Sequence, residues 1–374
     1  MNKNVRFLLI AFASVAIGAA SVQAAPLLGF TQTNLVSNIP DLALVTDPHL
    51  TNPWGISFSA TSPFWIADNG SGLSTLYNGA GAKQGLEVTI HGGLPTGTVF
   101  SNIPGSFNSD AFLFATQNGE IAGWRGALGT SAETLVSGSP NNVYTGLAIG
   151  TTTSGTYAYA ANFKTGSVDV YKGNPGFLDL PGNFTDPTLP SGYAPFNVQN
   201  IAGQLYVMYA EVDPTTGDEM AGPGLGYVDV FGLNGQFVRR LVSNGPLNAP
   251  WGIAQAPVTF DSLADAFLVG NFGDGTINAF SPAGIFLGTL ANSSGDLLVN
   301  EGLWALTFGN GGNGGNRNSL YLTAGLNDEH DGLFARIDSP QAIPEPGTLS
   351  LMTLGFAAWQ RRRIRRRASR TSLL

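Results

Sequence analysis

"NPWGISFS" at residues 52–59 and "APWGIAQAP" at residues 249–257 are one phrase written twice, far apart in the chain. Weaker versions are "PTGTVFSN" from Pro95, "YTGLAIG" from Tyr144, "APFNVQN" from Ala194 and "EGLWALTFG" from Glu301. Six openings therefore recur at intervals of about fifty residues, the spacing of a repeat architecture. After each opening comes an apolar run rich in aromatic and β-branched residues, such as "FWIADNG", "FLFATQNG", "YAYAANFKTG" and "FLVGNFGDG". A Gly/Asn/Asp turn then leads into an alternating strand ("LSTLYNG", "SVDVYKG", "YVDVFGLNG", "TINAFSPAG"), and a fourth follows in "LEVTI", "ETLV", "FVRRLVS" and "FLGTLA". Alternation over short runs bounded by turn residues reads as antiparallel strands.

Six such units predict an all-β fold, a six-bladed β-propeller of four-stranded antiparallel blades, in which each sheet covers the apolar face of the next. Near-continuous apolar runs such as "YAYAA" fit inner strands buried on both faces. Trp54, Trp251 and Trp304 are expected to fill the space between blades, with the following glycines letting neighbouring chains approach. The last unit shows only three strands, and "FTQTNLVSN" at residues 30–38 is an orphan ahead of the first opening. The ring is therefore expected to close by this N-terminal strand pairing into the last blade. A β-sandwich pair and a β-helix are the competing architectures.

Composition supports many short strands. The 374 residues hold 50 glycines and 22 prolines without a collagen-like period, the supply that tight turns need. Between residue 7 and residue 360 the chain keeps only eight of its 17 basic residues and all 25 acidic ones, which argues against nucleic acid as a partner, since a phosphate backbone needs an extended basic face. With no cysteine, disulfides, thiolate metal sites and thiol redox chemistry are excluded.

Both ends read as addresses. Lys3 and Arg6 precede the apolar run "FLLIAFASVAIGAA" at residues 7–20 and then "SVQAAP". That is the order of a signal peptide over residues 1–24, cleaved after Ala24. A buried N-terminal helix is the alternative. The folded domain then runs over residues 25–339. Residues 340–374 contain Pro344, Glu345 and Pro346, a short apolar stretch from Thr348 to Trp359, and an arginine block beginning Arg361, Arg362, Arg363. The apolar stretch falls short of the about 20 residues that span a bilayer, while the arginines behind it favour the cytoplasmic side.

This order of parts resembles the PEP-CTERM sorting signal of Gram-negative bacteria. The resemblance implies recognition by an exosortase, transient membrane contact through the C-terminal segment, and a setting of exopolysaccharide production. The apolar run is shorter than the family pattern and "ASRTSLL" trails past the arginines; a basic tail that binds acidic surfaces is the plainer reading. The phrases "NPWGISFSATSPFWIADNGSGLSTLY", "GYAPFNVQNIAGQLYV", "LNAPWGIA", "LVGNFGDGTINAFSP" and "LWALTFGNGG" also resemble an uncharacterised family of exported bacterial proteins. More distantly the repeats are similar to NHL and gluconolactonase-type propellers, in architecture alone.

Motifs for chemistry are sparse. His49, His91 and His330 stand in separate segments, and no HExxH, GxSxG or phosphate-binding glycine loop occurs. "NDEHDG" gathers Asp328, Glu329 and Asp331, oxygen ligands of the kind calcium takes; a solvated hairpin turn is the alternative. The loop "EVDPTTGDEMAGPG" carries Glu211, Asp213, Asp218 and Glu219 and is a candidate partner-binding loop. Asp68, Asn69, Asn118, Asn162, Asn271 and Asp274 recur at one blade position. The gluconolactonase-type resemblance would make them axial metal ligands, whereas their place before glycines suits turns that need left-handed backbone. Tyr77, Trp124, Tyr171, Phe231 and Phe280 are equivalent third-strand aromatics, expected to pack between blades rather than stack on sugars.

The resulting expectation is an exported, non-enzymatic surface or extracellular-matrix protein, processed by an exosortase and associated with exopolysaccharide or another envelope component. No cofactor is expected, calcium at the acidic groups being the one candidate. The alternative is a metal-dependent, lactonase-like propeller hydrolase.

Overall fold

A computed structural model describes residues 25–340 apart from Asn102. The expected signal peptide with Ala24, and the sorting segment with Pro344, Glu345, Pro346 and the arginines, lie outside the described residues. Six antiparallel sheets stand in a ring, each beginning at one of the six openings. Their innermost strands are Pro53–Ser57, Pro95–Phe100, Tyr144–Thr152, Tyr193–Ile201, Pro250–Gln255 and Leu303–Phe308. The sandwich and β-helix alternatives are thereby overturned.

Six hydrophobic cores fill the seams between successive blades, and a seventh fills the axis. The third-strand aromatics lie in the seams as expected. Tyr77 packs near Phe334 of the sixth blade, Trp124 against Trp65 of the first, and Phe231 in a core with Tyr159 of the third. Turns between second and third strands place Gly72, Gly119, Gly166 and Gly275 at φ near +70°, open to glycine without penalty.

The count of four strands per blade does not hold everywhere. The third blade has three, Tyr144–Thr152, Gly155–Asn162 and Ser167–Lys172. Residues 173–192, where a fourth belongs, contain Pro175, Pro181, Pro187 and Pro190, which lack the N–H groups a ladder requires. Phe177 and Phe184 of this coil instead cover Tyr157 and Tyr159, and the Phe184 N–H donates to the Gly235 carbonyl at 3.0 Å. The fourth blade gains a short extra strand, Glu219–Met220, paired to the end of its second.

The ring closes as the orphan strand predicts. Thr31–Ser37 pairs antiparallel with Asp331–Asp338, the third strand of the sixth blade, and Val45–Thr46 adds a short parallel fifth. Leu35 and Val36 are buried in the seam to the first blade. Asn38 and Asp331 lock the corner: Asn38 Nδ2 donates to Asp331 Oδ1 at 2.7 Å, and the Gly332 N–H donates to Asn38 Oδ1 at 2.8 Å.

Candidate functional site

The tryptophans of the repeated phrase do not sit between blades, contrary to the sequence expectation; they meet on the axis. Trp54 and Trp304 stack with ring centroids 3.5 Å apart, and Trp251 stands edge-on to both. The residue that follows explains why. A Cβ on Gly55 would lie 2.6 Å from the Thr96 carbonyl oxygen of the next blade, so the inner strands pass too closely to hold a side chain between them. Gly97, Gly146 and Gly252 meet their neighbours in the same way. With that side closed, the preceding residue must point inward. The six inward residues are Trp54, Thr96, Thr145, Phe196, Trp251 and Trp304, large on one side of the ring and small on the other. Trp251 Nε1 reaches across to donate to the Thr145 carbonyl at 3.0 Å. In the fourth blade Asn197 replaces the glycine and donates to the Trp251 carbonyl at 2.8 Å.

Above this plug, where the fifth and sixth blades meet, lies a cavity of about 530 Å³. Glu219, Asp274, Glu301, Asp328 and Glu329 surround it, with Phe272 at its floor against Trp304. Two acidic segments that the sequence shows far apart, the loop of the fourth blade and the "NDEHDG" turn of the sixth, thus converge on one mouth. A hydrogen-bond chain ties the mouth to the plug: Trp304 Nε1 donates to Asn52 Oδ1 at 3.0 Å, and Asn52 Nδ2 donates to Glu329 Oε2 at 2.7 Å. Burial, with the charges of Glu329 and Asp218 nearby, pushes the Glu219 carboxyl up to about 7. Glu329 is raised as well, chiefly by burial and partly offset by the Asn52 amide. The mouth therefore gains negative charge across neutral pH.

Asp331, the third residue of the calcium candidate, faces away, its carboxylate taken by Asn38 and Asn327. Within the other acidic loop, Glu211 accepts from the Tyr193 hydroxyl, Asp213 caps its own turn through the Thr215 N–H at 2.7 Å, and Asp218 is exposed; Glu219 alone enters the cavity. The recurring Asn and Asp residues serve the turns by a different route from the one expected. None of Asp68, Asn69, Asn118, Asn162, Asn271 and Asp274 has positive φ; the glycines do. The side chains instead bridge strands, as where Asp68 accepts from the Thr75 N–H and hydroxyl and Asn271 accepts from the Asn248 N–H.

A cluster invisible in the sequence lies on the rim of the first blade. Asp47, His49 and Glu87 bring ligand atoms within 4.8 Å of one another, and Lys83 Nζ stands among them, 2.6 Å from Asp47 and 2.5 Å from Glu87. Burial would raise the Asp47 carboxyl, but hydrogen bonds from Lys83 and from the Tyr77 hydroxyl, at 2.6 Å, outweigh it and hold the group below its ordinary value. The ammonium already supplies the positive charge a metal would bring. His49 reaches Glu87 only through the pairing of the outer strand Lys83–Thr89, which no local pattern announces.

The closed ring with its filled axis defines a six-bladed β-propeller. Residues 342–367 match the PEP-CTERM protein-sorting motif, the recognition signal of an exosortase, which implies export across the inner membrane to the cell envelope or surface. The chain belongs to the family of two uncharacterised proteins of Acanthamoeba polyphaga mimivirus. Protein R648 is 33% identical over 83% of this chain and 80% of its own length, and protein L690 is 31% identical over 83% and 86%. Among solved structures, a protein of unknown function from Bacteroides thetaiotaomicron VPI-5482 shares the fold at 12% identity, with a TM-score of 0.50 over 83% of this chain and 76% of that one.

Proposed function

We propose that the protein is a non-catalytic binding module of the cell surface or extracellular matrix, delivered by its sorting signal and docking an envelope component, exopolysaccharide first, at the acidic mouth. The observation that carries this reading is the mouth itself: five carboxylates from three blades around an aromatic floor, set on a rigid plug. Carboxylates accept hydrogen bonds from sugar hydroxyls, and an aromatic ring gives the apolar face of a pyranose a surface to lie on. For the alternative, a lactonase-like hydrolase with an axial metal, the stacked Trp54, Trp251 and Trp304 supply no oxygen ligand on the axis.

The test is retention of the purified protein on extracted exopolysaccharide and on envelope fractions, with a Glu219→Gln, Glu301→Gln variant as comparison. Retention weakened by the double substitution is expected. Failure of the wild-type protein to bind either material, or equal retention of the variant, would overturn the reading.

A further inference from the structure

A cavity of about 590 Å³ lies between the first and sixth blades at the opposite face from the acidic mouth. Its lining is the reverse of the protein as a whole. Two of the eight basic residues available to the described chain, Arg317 and Arg336, line it, together with Asn78, Asn313, Asn316 and Tyr321, and no carboxylate does. Among the described residues there are about three acidic side chains for every basic one, so that selection is informative.

The guanidinium groups are held but not used up. Arg317 Nε donates to the Asn310 carbonyl at 3.0 Å, and among the described residues no carboxylate pairs with it. Arg336 Nε donates to Asp338 Oδ2 at 2.9 Å. The terminal nitrogens of Arg317 make no hydrogen bond among the described residues and retain donors for an anion in the geometry arginine favours, while Arg336 stands beside the Tyr321 hydroxyl as well as Asp338.

The glycine-rich loop that forms the wall, residues 309–316, is fixed. Asn310 pins it: its Nδ2 donates to the Ser59 and Ser62 carbonyls, both at 2.9 Å, while its Oδ1 accepts from the N–H groups of Gly312 and Gly314. The Gly79 N–H donates to the Asn313 carbonyl at 2.8 Å, and the Tyr321 hydroxyl accepts from the Asn316 N–H at 3.2 Å. A Cβ on Gly79 would run into the Gly315 backbone, and one on Gly315 into the Tyr321 phenol, so the glycines serve close packing of two blades. A wall already ordered spares a ligand the entropy of arranging it.

We infer that this pocket is a second binding site, for an acidic sugar: an anionic group held between Arg317 and Arg336, with ring hydroxyls meeting the asparagine side chains and Tyr321. Its size falls within the roughly 300–1,000 Å³ of small-molecule sites. The anion is a carboxylate or a phosphate ester, and the two are separated by experiment. The site is independent of the acidic mouth, which would repel the same ligand.

Calorimetric titration of the purified protein with D-glucuronate, D-glucose 6-phosphate and D-glucose tests it. Saturable binding of at least one anionic sugar and none of glucose is expected, falling about tenfold in Arg317→Ala, the loss of a charge-assisted hydrogen bond. Arg317 is exposed, so folding of that variant is not at stake, and circular dichroism verifies it. Glu219→Gln leaves this binding unchanged if the two sites are separate, so failure here and failure of the acidic mouth can be told apart. The inference is overturned if neither anion binds saturably, if glucose binds equally well, or if Arg317→Ala retains full affinity.

Discussion

Replacing Glu219 by glutamine should stabilise the protein, and only at higher pH. In the folded chain its carboxyl holds its proton up to about 7, from an ordinary 4.5, because burial and the charges of Glu329 and Asp218 oppose ionisation. Below the ordinary value the group is protonated in both folded and unfolded chains, and glutamine changes nothing. As pH rises from there to neutrality the unfolded chain releases the proton while the folded chain keeps it. Stability drains away over that window, and above it the whole cost is present. At about 1.4 kcal/mol per pH unit the cost is roughly 3 kcal/mol at most, and about 2 kcal/mol once the partial exposure of the mouth is allowed for. For a domain of this size 1 kcal/mol moves Tm by about 2 °C, so the variant should melt about 4 °C higher at pH 8 and within error of wild type at pH 4.5. Differential scanning calorimetry across that range measures it. A difference independent of pH, or a less stable variant at pH 8, would refute the assignment of Glu219 to a crowded acidic cavity.

Other substitutions probe the frame around the site. Arg240 donates to Asp229 at 2.7 Å and also holds Asp186, both fully buried, so Arg240→Ala strands two carboxylates and should cost about 3–5 kcal/mol in urea unfolding. Trp304→Ala removes the centre of the axial plug and should cost about 3–5 kcal/mol by the same measurement, the upper end if the plug cannot collapse. Leu35→Ala in the closing strand should cost about 2–5 kcal/mol and speed proteolysis near residue 30, where the ring opens.

The repeated Pro-Trp-Gly phrase made the ring legible because a propeller imposes the same steric demand at every inner strand. It needs a residue that vanishes at the blade contact and one that fills the axis. The closing strand was legible for a related reason, an unpaired alternating segment facing an incomplete last unit. The missing strand of the third blade was written in four prolines between residues 173 and 192, a signal that repeat counting overrides. The site was legible only in part. Asp328, Glu329 and Glu219 stand out as acidic, yet nothing in their spacing says that a loop of the fourth blade and a turn of the sixth share one mouth, or that Asp331 turns away. Asp274 was visible as a turn residue, and its second role at the cavity depends on which end of the blade that turn occupies. The cluster of Asp47, His49, Lys83 and Glu87 arises from contact between the closing segment and the outer strand of the first blade, and the pair Arg317 and Arg336 from a loop and a strand of the sixth blade that strand pairing brings together; sequence distance announces neither.

The closing strand also decides how the molecule bears load. Asp331–Asp338 is flanked on both sides, by Ser319–Gly325 and by Thr31–Ser37, with hydrogen bonds running along nearly its full length. Any pull applied through the chain beyond Pro340 is delivered along that strand, and two ladders resist it together in shear. Were it an outermost strand, its rungs would peel apart singly; buried in mid-sheet, it gives the propeller a mechanical anchor inside its own wall.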